Sequence, residues 1–292
     1  MKAEDWKKRG EMIEIDGRRV FTVRQSEPGE NLLCLHGFPT SSFDYHKVWN
    51  RLAQGSSLLA FDMLGYGFSE KPRELKYTTA EQADLLEAVL KHFGIRETHV
   101  ISHDYGNTII QELLARRAER GIDFGIRSLC FLNGALFPET HRPILAQKLL
   151  IGPVGPLFGR LIPESAFARS LASVFGKGTR PTKEELKEFV SIFRTNGGKK
   201  IAHKLIHYMR EREVHRERWL EALRSIDFPF RFINGLDDPV SGRHLVERFR
   251  ELVPEQKDII ELEKIGHFPH FEAPEAFLVH YQEFREIIRQ KS

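Results

Sequence analysis

Six short apolar runs without polar alternation set the tightest limit on this chain: residues 32–35, 58–61, 100–101, 129–132, 230–233 and 259–262. A strand with one wet face alternates apolar and polar side chains, so these runs predict strands buried on both faces, as in a parallel sheet. Parallel neighbours need crossovers, and helical patterns lie between the runs. Thr78-Thr-Ala-Glu81 predicts a capping box, after which Ala83, Leu86, Leu90 and Phe93 recur at helical spacing until Gly94. Residues 109–117 and 276–288 read as two further helices. Near the front, Asp16-Gly17 between two β-prone stretches predicts an antiparallel hairpin. The expectation is an α/β chain with a mostly parallel, doubly wound sheet.

Residues 138–225 break this rhythm, with helical patterns punctuated by Gly and Pro and no clear buried strand. They predict a helical cap inserted into a core domain of residues 1–137 and 226–292. Gly152-Pro-Val-Gly-Pro156 within it reads as a plain loop.

A length of 292 residues with 41% hydrophobic content allows a sizeable core, and 44 basic against 41 acidic residues, mixed along the chain, give no footprint for nucleic acid. Cys34 and Cys130 sit inside apolar runs and read as core thiols. The start, Met-Lys-Ala-Glu-Asp-Trp-Lys-Lys-Arg-Gly-Glu, lacks the apolar stretch of a secretory signal, and Gly, Pro and Arg160 interrupt the apolar neighbourhood 149–162. A soluble, cytoplasmic protein without a membrane span is expected, with a homodimer left open. No Cys/His cluster has metal-ligand spacing, so neither metal nor cofactor is expected. The charged run 210–218 reads as a solvated helix face.

The chemistry is carried by four segments. Ser102-His-Asp-Tyr-Gly106 falls between a strand and a helix, with small residues two before and two after Asp104, the context of a nucleophile elbow. A carboxylate there is already anionic at neutral pH, so a histidine is free to activate water rather than the nucleophile. An Asp ahead of a helix also serves as a cap. Leu35-His-Gly-Phe-Pro39 follows an early strand. Gly235-Leu-Asp-Asp-Pro239 follows another and offers Asp238 as the acid that orients a histidine, with Asp237 a turn residue. Gly266-His-Phe-Pro-His-Phe-Glu-Ala-Pro274 follows the last strand and offers His267 as the base, His270 being its competitor. Asp62-Met-Leu-Gly-Tyr-Gly-Phe-Ser69 lacks the glycine and lysine pattern of a phosphate loop and reads as structural.

These motifs, in the order Asp104, Asp238, His267, resemble α/β-hydrolases of the epoxide hydrolase and haloalkane dehalogenase group over residues 31–285. His36-Gly-Phe-Pro-Thr-Ser-Ser42, residues 102–107 and Asn133-Gly-Ala-Leu-Phe-Pro-Glu-Thr-His-Arg-Pro143 are similar to the mesoderm-specific transcript proteins within that group. The resemblance implies an oxyanion hole formed by the Phe38 and Tyr105 backbone N–H groups. It also implies that epoxide opening needs proton donors from the cap, usually two tyrosines. This cap supplies Tyr208; for a second donor His141, His203 and His207 remain open. Dehalogenation would need an indole or amide N–H where this chain has Tyr105 and Phe38, and comes second. The expected activity is hydrolysis of a small apolar epoxide by water to a vicinal diol through an aspartyl ester, with a non-catalytic ligand-binding protein as the reading from another class.

Overall fold

The computed structural model describes residues 1–291. Eight strands form one sheet: β1 (Gly10–Ile15), β2 (Arg18–Gln25), β3 (Glu30–Leu35), β4 (Ser56–Phe61), β5 (Glu97–Ser102), β6 (Gly125–Phe131), β7 (Phe230–Gly235) and β8 (Ile259–Leu262). Their spatial order is β1-β2-β4-β3-β5-β6-β7-β8. The first two strands form the expected hairpin, with Ile15 opposite Arg18. Asp16 (φ 48°) and Gly17 (φ 73°) are both left-handed, as the tight turn that matches strand twist requires. β2 runs antiparallel to β4, and all pairings from β4 to β8 are parallel.

Strand alternation divides the core in two. Leu33, Leu35, Leu59, Phe61 and Val100 face one layer, with helices Thr79–His92, Tyr105–Arg120, Arg216–Arg224 and Arg243–Leu252. Leu32, Cys34, Leu58, Ala60, Ile101 and Cys130 face the other, against Ala3–Arg9 and Pro274–Lys291. Both thiols are buried and free, as their apolar runs suggest. The capping box at Thr78 is present, with Glu81 N–H donating to Thr78 Oγ1 at 3.2 Å and Thr78 N–H to Glu81 Oε2 at 2.8 Å. Helix Tyr105–Arg120 extends beyond the sequence expectation of 109–117, because strand β5 leads into it through a single tight turn.

Among the described residues, the chain between β6 and β7 makes helices and connections only, from Pro138–Thr140 to Arg216–Arg224. Residues 152–155 form a turn joining two short helices. No helix of the described residues is long and apolar enough to cross a membrane.

The first helix carries Trp6, fully buried between Phe43 and Trp49 with edge-on ring contacts of 6.3 and 5.2 Å. Its indole Nε1–H donates to Ser42 Oγ at 3.1 Å. Trp6→Ala leaves a cavity and an unpaired hydroxyl, and is expected to lower stability by about 3–5 kcal/mol in denaturant titration.

Candidate active site

The carboxyl ends of the parallel strands, near the point where the strand order reverses, are where an open α/β sheet leaves a crevice. β5 ends at Ser102, the next helix begins at Tyr105, and between them Asp104 is held at φ 49°, ψ −109°. L-residues seldom adopt this conformation, and it persists only where neighbours enforce it. Here Asp104 N–H donates to Asn133 O at 2.8 Å and His103 N–H to Leu35 O at 3.0 Å, so the strands on both sides grip the turn. Space is as tight as the sequence suggests. A Cβ on Gly106 would stand 2.9 Å from the His36 carbonyl oxygen, and one on Gly134 (φ 150°) 2.3 Å from Asp104 Cα. Although Asp104 occupies the N-cap position, its side chain makes no capping bond. Its Oδ1 instead accepts the Phe38 N–H at 3.0 Å.

Asp238, after β7, and His267, after β8, meet this carboxylate. His267 Nδ1–H donates to Asp238 Oδ2 at 2.6 Å, and His267 Nε2 lies 3.5 Å from Asp104 Oδ2. Asp238 is fixed by donors that sequence reading did not select: Ser241 Oγ at 2.5 Å, Asn133 Nδ2 at 3.1 Å and Val240 N–H at 2.8 Å. Asn133 therefore ties both carboxylate loops together through its backbone and side chain, and its place just past β6 was the signal available. Asp237 is exposed and contributes a backbone bond to Ile265 O. His103 Nε2–H donates to the backbone oxygen of His267 at 2.8 Å, fixing that loop from behind.

Burial alone would raise the Asp104 carboxyl, but the hydrogen bond and charge of His267, then the charge of Arg212, hold it well below the usual carboxylate range. Burial likewise opposes a charged His267; Asp238 and Asp104 override it and push the ring up to about 10. The pair is therefore held as a carboxylate beside an imidazolium.

The oxyanion loop is built from His36 outward. His36 Nε2 accepts Met63 N–H at 3.1 Å, which places the proton on Nδ1, donated to Gly37 O at 2.9 Å. This holds Phe38 N–H on Asp104. Tyr105 N–H opens a helix, where the first N–H groups lack intrahelical acceptors.

Opposite Asp104 sits Tyr208, at the start of helix Tyr208–Val214. Its ring stacks on Tyr105 at 4.5 Å, and its hydroxyl is buried with no hydrogen-bond partner among the described residues. Burial and then the charge of Asp104 raise its pKa well above the ordinary value. Tyr66, from the loop after β4, has a second buried, unpartnered hydroxyl, raised by burial and by Tyr105, Tyr208 and Asp104. Of the three histidines left open, His141 faces Asp104, Arg212 and His267; His207 is exposed, and His203 packs near Gly155.

One sequence reading needs correction. The run 210–218 is not uniformly solvated, because Arg212 is 1% exposed. It lies one helical turn after Tyr208, so the i, i+4 spacing was the missed signal. The hydroxyl of Thr108 accepts from its Nε at 2.9 Å, and its guanidinium lies 4.6 Å over the Tyr208 ring. A narrow cavity, partly continuous with solvent, opens from Phe38, His267 and Phe268 between apolar walls that include Leu150, Ile162, Phe167 and Leu171.

Behind the triad, Asp44, His103 and His270 gather donor atoms within 4.8 Å of one another. Burial pushes the Asp44 carboxyl up, and burial with neighbouring histidines pushes both rings down. His270 is fully buried within this group.

Comparison with known proteins places the fold. The α/β-hydrolase fold family model matches residues 30–274. The mesoderm-specific transcript protein of Mus musculus is 40% identical over 289 residues, covering 96% of this chain and 86% of that protein. The putative hydrolase LipZ of Mycobacterium tuberculosis is 36% identical over 277 residues, 94% of each chain. Among solved structures, the haloalkane dehalogenase DbeA of Bradyrhizobium elkani USDA94 superposes with a TM-score of 0.79 at 21% identity, covering 97% of this chain and 99% of that one, a likeness of fold.

Proposed function

The chain belongs to the α/β-hydrolase fold family, and from that premise we propose that it is an epoxide hydrolase working through a covalent aspartyl ester. The observation that carries this reading is the buried, unpartnered Tyr208 hydroxyl within the field of Asp104. An alkoxide leaving group needs a proton, and a phenol over the nucleophile is a donor for it.

In the first step an Asp104 oxygen forms a bond to an epoxide carbon, the ring C–O bond breaks, and its electron pair takes the Tyr208 proton. Alkylation removes one of the two carboxylates that support the His267 imidazolium, which lowers the ring's proton affinity, and its Nε2 proton passes to solvent. Asp238 keeps it aligned while it takes a proton from water, and the hydroxide attacks the Asp104 acyl carbon. The tetrahedral oxyanion falls to the Phe38 and Tyr105 N–H groups. Its collapse expels the diol alkoxide, protonated by His267; the proton left by the restored Asp104 carboxyl returns to Tyr208, and His267 recovers its own proton from solvent once Asp104 is again an anion beside it. The helices between β6 and β7 act as the cap, contributing Tyr208 and the apolar walls.

A haloalkane is the second-ranked electrophile. Phe38 and Tyr105 present no side-chain N–H to a departing halide, whereas Tyr208 supplies the hydroxyl an epoxide needs.

Single turnover of an aryl or alkyl epoxide in heavy-oxygen water is expected to place the label in the Asp104 carboxylate. Label found first in the diol would overturn the covalent route.

A further inference from the structure

The Arg212 guanidinium has three of its faces accounted for and one left over. Nε donates to Thr108 Oγ1, Nη1 to His141 Nδ1 at 3.1 Å, and the plane covers Tyr208. Nη2 is buried with no hydrogen-bond partner, and among the described residues no carboxylate lies within 4.0 Å of this cation. A buried, always-charged group without an ion-pair partner is costly unless something else supplies the counter-charge.

Its neighbour is poised in the same way. Because His141 Nδ1 accepts from Arg212, the proton of the neutral ring sits on Nε2. Burial and then the charge of Arg212 push His141 down to about 4, so the ring stays neutral and Nε2–H remains a donor. That nitrogen too is buried and makes no hydrogen bond within 3.5 Å, with the Gln147 side chain beside the ring. Tyr208 O–H is the third such donor. Arg212, His141 and Tyr208 are joined to one another by the Nη1–Nδ1 bond and the ring contact, and each lies within electrostatic reach of Asp104.

We infer that Arg212 and His141 form a carboxylate-binding subsite, and that the substrate is an apolar-tailed epoxide bearing a carboxylate beside the carbon that Asp104 attacks. This rests on the epoxide reading for the reaction and on the Arg212 surroundings for the anion. The division of labour follows from the donors. Tyr208 gives a proton to the opening oxygen, whereas a guanidinium keeps its protons and suits an anion that stays ionised; its planar fork fits a carboxylate. The cavity beyond Phe38 and His267 is lined by Leu150, Ile162, Phe167 and Leu171, which suit an alkyl tail. The charges also change in the useful direction. In the resting site Asp104 opposes a second anion, but attack on carbon turns Asp104 into a neutral ester. The attraction between Arg212 and the substrate carboxylate then strengthens as the reaction advances, which favours the transition state over the bound substrate.

Two measurements test this. In the first, hexanoate and hexanamide are added separately to the whole protein and thermal unfolding is followed. Hexanoate is expected to raise Tm while hexanamide leaves it unchanged, and Arg212→Gln is expected to abolish the difference. Arg212→Lys, which keeps the charge without the fork, is expected to retain part of it and covers the case in which the glutamine variant fails to fold. Equal responses to acid and amide in the wild type would overturn the subsite. In the second, turnover of trans-2,3-epoxyhexanoate is compared with its amide. A kcat/KM at least tenfold higher for the acid is expected, carried in part by kcat. Turnover of both at the same rate removes the subsite and leaves the epoxide reading standing; selective stabilisation by hexanoate without opening of either epoxide does the reverse.

Discussion

His267→Gln is expected to arrest the protein after its first chemical step. Attack of Asp104 on an epoxide consumes no base, so a variant without the imidazole still forms the ester. Glutamine retains side-chain bonding capacity toward Asp238 but takes no proton from water, and removal of a positioned general base costs about 10²–10⁴-fold in the step it serves. The adduct should therefore accumulate to one equivalent per chain, seen as an intact-mass increase equal to the whole epoxide and mapped to the peptide carrying Asp104. Steady-state turnover should fall by the same factor while the initial burst persists. Unchanged steady-state turnover, or complete loss of activity with no adduct, is incompatible with the two-step scheme.

The largest effect is expected at Asp104 itself. Asp104→Ala removes the attacking oxygen, and turnover should drop by about 10⁴-fold or more with no adduct at any time. Asp104→Asn separates chemistry from architecture, because the amide oxygen can still accept the Phe38 N–H bond now made by Oδ1. It also removes one of two anions beside His267, so the ring pKa should fall below its value of about 10. Its sign in stability is fixed by linkage: a folded pKa raised above the unfolded value of about 6.5 stabilises the protein below that pH, and the contribution disappears as pH rises through the folded pKa. In the wild type this loss spans pH 6.5 to about 10; in Asp104→Asn it should end at lower pH. Imidazole NMR titration and unfolding across this range read both quantities.

The sheet was legible because burial on two faces leaves a mark inside each strand, as 32–35 and 58–61 show. Asp104, Asp238 and His267 were legible for a different reason: each follows a strand, and strand ends converge at one edge of a parallel sheet. Arg212 was not. Within its own helix it is one charge among many, and its burial depends on Thr108 and His141, distant in sequence. Asn133 and Ser241 escaped for the same reason, since their importance comes from meeting Asp238 rather than from any local pattern. Tyr66 was hidden inside a loop whose other members serve the backbone: Asp62 accepts the N–H groups of Ser42 and Phe68.

The front of the chain is a fastening between two segments near the candidate site. Ala3 N–H donates to Glu188 Oε2 at 2.8 Å, in helix Lys183–Arg194 between β6 and β7, while Trp6 holds Ser42, four residues past Phe38. Seven residues thus bridge the inserted helices and the segment that carries the oxyanion loop. Leu145, Leu157 and Leu161, on the helices Leu145–Ile151 and Gly155–Leu161 between the same two strands, stand exposed and lie outside this fastening. Strain applied to helix Ala3–Arg9 is therefore passed to both segments at once, one through the Ala3 N–H and the other through the Trp6 indole.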